Sequence, residues 1–96
     1  MEETTGTEDA AGAALQDIYP NPASAMTVIP VSSSARTTGN IRIFNALGQL
    51  VETVFSGEFP AGLSNHFIDA GQYVSGTYFV ELQTGSQTVV KKLIVR

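Results

Sequence analysis

The chain has no cysteine and no tryptophan, and its first 17 residues contain no lysine or arginine. Without cysteine there is neither a disulfide framework nor thiolate chemistry, and the redox compartment cannot be read from it. The five basic residues, Arg36, Arg42, Lys91, Lys92 and Arg96, are too few and too scattered along the sequence to neutralise a run of phosphates. Nucleic acid is therefore excluded as an expected partner, and adsorption to an anionic membrane fails for the same reason. No apolar run reaches the length of a membrane span, so direct insertion is not expected. No charged stretch followed by an apolar core stands at the amino terminus, so an exported form needs a signal supplied upstream. The chain reads as the carboxy-terminal piece of a longer protein.

What is present divides sharply. Residues 1–17 carry Glu2, Glu3, Glu8, Asp9 and Asp17, a charge of −5, whereas residues 18–96 carry five basic and four acidic side chains, or +1. The overall −4 thus belongs to the leader and says little about partners of the remainder. Residues 1–14 hold no large apolar side chain beyond Met1 to offset their ordering entropy and read as a flexible linker. Residues 15–96 read as one folded domain, whose roughly 80 residues bury only about 60–65% of their unfolded surface.

From Leu15 onward, short alternating runs separated by turn residues predict strands near 15–19, 25–31, 40–45, 49–56, 65–69, 76–83 and 87–95, with no sustained helical period. Seven such strands predict an all-β, Ig-like antiparallel β-sandwich. Asn45 and Gly48, first and last in Asn45-Ala46-Leu47-Gly48, predict a type I turn closed by a left-handed glycine. Pro20 and Pro22 lack amide donors and belong at a strand end or edge, and Asn21 between them can bond back to backbone.

The last strand contains a conflict. Strict alternation puts Lys91 on the face of Val89, Leu93 and Val95, or Lys92 on that of Val90 and Ile94, so one lysine points at the core. A bulge there, or snorkelling at the sheet edge, resolves it. A strand ending flush with the carboxyl terminus leaves Arg96 and its end group at the surface.

Chemistry finds no constellation. Ser32, Ser33 and Ser34 sit in a loop without a base, and His66 is the single histidine. A zinc site needs three or four ligands and calcium six or more oxygens, so neither His66 nor Asp69 predicts a metal. No catalytic residue, metal or cofactor is expected. Gly76 reads as a close backbone approach and Tyr78 as a packed ring with a satisfied hydroxyl.

The motifs Tyr19-Pro20-Asn21-Pro22, Ile41-Arg42-Ile43-Phe44-Asn45-Ala46-Leu47-Gly48-Gln49-Leu50-Val51, Ile68-Asp69 followed by Ser75-Gly76-Thr77-Tyr78-Phe79-Val80, and Lys91-Lys92-Leu93-Ile94-Val95 occur in order over residues 18–96. Together they resemble the type IX secretion system C-terminal sorting domain, type A. Two positions depart from the family pattern: Tyr73 stands where leucine is usual and Ala70 where a larger aliphatic is common. The resemblance implies an Ig-like sandwich at the end of a cargo protein that has reached the periplasm of a Gram-negative bacterium. It implies passage through the outer membrane to the cell surface or medium, with the secretion translocon, a sortase-like cysteine peptidase and the upstream cargo domain as partners. Cleavage is expected in the preceding linker.

Candidate recognition residues are Pro20, Asn21, Pro22, Gly76, Tyr78, Lys91, Lys92 and Arg96, with the final strand able to take an added strand or present its carboxylate. The contrasting reading is a non-catalytic Ig-like accessory module that binds glycan or a neighbouring domain. It is disfavoured by the lack of tryptophan and by aromatics that mostly fall at core-facing alternations.

Overall fold

Alternation of apolar side chains sets two layers. In the computed structural model, which describes residues 13–85 and 87–96, seven strands follow one another: β1 (Ala13–Leu15), β2 (Met26–Ser33), β3 (Thr37–Asn45), β4 (Leu50–Phe59), β5 (Gly62–Asp69), β6 (Gly76–Thr84) and β7 (Gln87–Val95). They form a three-stranded sheet in the order β1-β2-β5 and a four-stranded sheet in the order β4-β3-β6-β7. Every ladder is antiparallel. The expected all-β sandwich is what the chain forms.

The inward side chains of both sheets interlock in a single core. Ile29 and Val31 of β2, Ile41 and Ile43 of β3, Phe59 of β4, Val80 and Leu82 of β6 and Leu93 of β7 are all at or below 1% exposure. Near-complete removal of these side chains from water is the main favourable term for a domain this small. Pro30 lies in the central strand of the three-stranded sheet, where the β1–β2 ladder ends. Its carbonyl accepts from the Gln16 amide, and its nitrogen, on the same side, has no hydrogen to return, so the pairing stops there.

The β3–β4 turn forms as its sequence requires. Asn45 Oδ1 accepts from the amides of Leu47 and Gln49 at 2.9 and 3.0 Å, and Gly48 takes φ 82°. The first strand differs from expectation: the ladder runs over Ala13–Leu15, and Tyr19 makes only an isolated bridge to Val28. Of the linker expected over 1–14, residues 1–12 lie outside the described residues, and Ala13 and Ala14 pair with Ser33 and Ser32.

The placement of the aromatics corrects a second expectation. Phe59 and Tyr78 are buried, but Tyr19 and Phe67 are exposed, and Phe44 and Phe79 are half-buried on the outer face of the four-stranded sheet. Outward positions of a sheet with one solvated face tolerate aromatics paired across strands, as Phe44 is with Phe79. Alternation alone does not say which face is inner.

Candidate functional site

The residues that enter the sandwich and those that end it meet at one corner. β7 pairs with β6 without interruption from Thr84↔Gln87 to Gly76↔Val95, so there is no bulge at the two lysines. Lys91 therefore takes the inward face with Val89, Leu93 and Val95. Its stem lies along the core margin and its Nζ reaches Asp17 Oδ1 at 3.0 Å. Snorkelling is how the conflict is resolved. Lys92 points outward and is exposed.

β7 is an edge strand, and its outward backbone groups are met by the Pro20–Pro22 segment. Asn21 Nδ2 donates to the Lys92 carbonyl at 3.0 Å, and Asn21 Oδ1 accepts from the Ile94 amide at 3.0 Å. A carbonyl can only accept and an amide N–H can only donate, so these partners fix the orientation of the Asn21 amide. Ala23 continues the contact: its amide donates to the Ile94 carbonyl at 2.7 Å and its carbonyl accepts from the Arg96 amide at 2.8 Å. This is a short parallel bridge between Ala23 and Val95. Both the Tyr19-Pro20 and the Asn21-Pro22 peptide bonds are cis. Between this segment and β7 runs a groove of ≈ 480 Å³ lined by Asp17, Ile18, Asn21, Lys91 and Lys92.

Gly76 opposes Val95 and so borders the same corner. A Cβ built there would meet nothing within 4 Å, so the expected close approach is not why glycine stands at this position. The backbone takes φ 155°, which side-chain-bearing residues rarely adopt. Tyr78 opposes Leu93 and is buried, its hydroxyl donating to the Val74 carbonyl and its ring lying 5.2 Å from that of Tyr73. It shapes the loop before Gly76 from beneath and offers no surface. The Tyr73 hydroxyl donates to Glu52; burial first, then this bond and the nearby carboxylate, push its pKa well above the ordinary phenol range.

The structure thus joins Asn21, Lys91, Lys92 and Arg96 directly, with Pro20, Pro22 and Gly76 beside them. Asp17, Ala23 and Ile94 belong to the corner and were not singled out in the sequence. Ala23 and Ile94 act through backbone groups, which carry no residue signature, and Asp17 reads as one more charge of the leader. His66 lies elsewhere, 4.7 Å from the Phe55 ring and 5.4 Å from the Phe59 ring, with Ser64 Oγ 3.2 Å from its Nε2. Burial lowers its pKa. Among the described residues, no group of three or more histidine, aspartate or glutamate side chains converges as a metal site would.

Two packed antiparallel sheets with a tied-down terminal edge make this a small all-β sandwich domain. More specifically, the family model described as the secretion system C-terminal sorting domain matches residues 17–96, and the chain belongs to that family. It is a C-terminal sorting domain of type IX secretion, which implies interaction with that secretion machinery and export to the cell surface or medium. A comparison with curated proteins gives no match.

Proposed function

We propose that this sandwich is a non-catalytic signal that carries an upstream cargo protein from the periplasm across the outer membrane through the type IX translocon. The recognised surface is the corner formed by Pro20, Asn21, Pro22, Gly76, Lys92 and Arg96, with Lys91 and Tyr78 supporting it from within. A sortase-like cysteine peptidase then cuts the leader ahead of β1, and residues 13–96 go with the removed domain. One observation carries this reading: chain-distant backbone and cationic groups gather at a single surface point around a strand edge. Such an arrangement suits recognition of shape and main chain more than turnover of a small molecule.

The test is a periplasmic reporter fused ahead of residues 13–96 in a host with this secretion system. The domain is expected to bring the reporter to the cell surface. A Lys92→Glu/Arg96→Glu form, altered only at exposed side chains, is expected to leave most of it in the periplasm. Equal export of both forms removes the corner from the proposal, and export of neither removes the sorting role.

The accessory-module reading draws on one specific feature. Tyr19, Val28 and Phe67 lie side by side across the outer face of the three-stranded sheet, with Tyr19 and Phe67 exposed. Phe67→Ser separates the two: under the sorting reading export is unchanged.

A further inference from the structure

The chain from Ala13 to Ala23 runs alongside β7 for its whole length and in the same direction. The Ala13 amide donates to Gln87 Oε1 at 3.1 Å, Asp17 meets Lys91, Asn21 bridges Lys92 and Ile94, and Ala23 bridges Ile94 and Arg96. This alignment falls into two unlike parts. Over residues 92–96, the outward backbone groups of Lys92, Ile94 and Arg96 are bonded to Asn21 and Ala23. Upstream, alternation gives Val90 and Thr88 the same outward orientation, but among the described residues their outward groups have no backbone partner. Here the covering chain arcs away over Gln16 to Ile18 and leaves the groove beside Lys91 and Lys92.

A strand edge half open and half closed by a noncontiguous segment is a concealed strand-addition site. Residues 21–23 already supply what an added strand would supply: an acceptor for Ile94, a donor for its carbonyl and an acceptor for Arg96. They are held to β7 by four hydrogen bonds, and Tyr19 just upstream adds two to Val28, few enough ties for local opening to precede global unfolding. The side chains around the edge are cationic. Lys91, Lys92 and Arg96 are three of the five basic residues of the chain, and among the described residues the one carboxylate side chain bonded to any of them is Asp17 of the covering segment.

We propose that residues 17–23 are a displaceable latch over the carboxy-terminal half of β7. When it opens, the edge from Val90 to Arg96 accepts an extended, acidic peptide segment as an added strand. The latch follows β1, so a pull on the amino-terminal side reaches the segment that hides the edge once β1 and Gln16 have been stripped from β2. The consequence for transport rests on the sorting-signal reading, whereas the latch itself does not.

Amide hydrogen exchange on the purified domain tests it without any secretion machinery. In the wild type, the Ile94 and Arg96 amides are expected to exchange at least ~10-fold faster than Val80 and Leu82, through a path insensitive to denaturant. In Asn21→Ala their exchange is expected to rise a further ~10-fold or more while Val80 and Leu82 are unchanged. If Asn21→Ala does not fold, Asn21→Asp keeps the acceptor, removes the donor and gives the same pattern at smaller amplitude. The binding arm uses a fluorescent peptide copying residues 17–25, which has the acidic residue and backbone pattern of the latch. It is expected to bind the Asn21 variant at least ~10-fold more tightly than the wild type. Exchange of Ile94 and Arg96 only in step with Val80, or peptide binding equal in both forms, overturns the latch and leaves the sorting reading standing. Failure of the reporter fusion to export does the reverse.

Discussion

The two edges of the four-stranded sheet solve one problem in different ways. β4 carries its own protection. Its register with β3 passes from Ile41↔Phe55 to Arg42↔Thr53 and from Ile43↔Glu52 to Phe44↔Leu50, so Val54 and Val51 are extra residues that break the row of outward groups. A strand so bulged is a poor template for another chain. β7 is straight and in unbroken register, and its protection comes from residues 71 to 74 positions away in sequence. Protection written into a strand is permanent, whereas protection by a separate segment can be withdrawn. An edge guarded in the second way is one whose exposure can be used.

If that contrast holds, the β4 side behaves as rigid core and the β7 side as an attachment. Phe59, fully buried at the end of β4, packs against Phe55 at 4.9 Å and His66 at 5.4 Å and ties β4 to β5. Phe59→Ala is expected to cost about 3–5 kcal/mol, a large share of what a domain of this size possesses. Thermal unfolding should report it as a fall in Tm of roughly 12–40 °C. A fall of a few degrees would mean that the β4 side is not the rigid one.

The same cluster gives a smaller, pH-dependent effect. Burial against Phe55 and Phe59 lowers the His66 pKa below its ordinary 6.5, so the unfolded chain binds its proton more readily than the folded one. This stabilising contribution is complete above pH 6.5 and is lost progressively as pH falls below it. Urea unfolding at several pH values is expected to show the slope in the wild type and a flatter one in His66→Gln. Equal slopes would place the aromatic cluster in water and blur the contrast between the two sides.

Much of the fold was legible in the sequence because its signals are local. Alternation located six of the seven strands to within about three residues at each end, Asn45 and Gly48 announced their turn, and the lysine conflict in β7 was visible before its answer. The start of β1 was missed because Ala13 and Ala14 are too small to print a clear pattern. The outward aromatics Tyr19, Phe44, Phe67 and Phe79 are not told apart from the inward Phe55, Phe59, Tyr73 and Tyr78, because two solvated sheets alternate as well outside as inside. The corner was legible only as separate motifs. Its joining bonds run between an asparagine side chain, an alanine backbone and the backbone of β7, and backbone groups are the same at every residue. Gly76 was noticed for the right position and the wrong reason, since conformation and close approach both select glycine.

The finest test of the contrast is the exposed tie between Asp17 and Lys91. The Asp17 side chain is 98% exposed, so water screens the pair and its attraction is offset by the freedom both side chains give up. If the latch is held by its hydrogen bonds to the strand edge, Asp17→Asn is expected to leave Tm within ~1 °C of wild type, because exposed pairs of this kind contribute little. Asn21→Ala, which removes two bonds to strand backbone, should cost several times more. Salt separates the remaining possibilities. A latch fastened by hydrogen bonds is insensitive to ionic strength, while one fastened by charge loosens between low and physiological salt. Equal effects of the two substitutions, with exchange at Ile94 rising in salt, would make the attachment electrostatic and move its control from Asn21 to the acidic end of the segment.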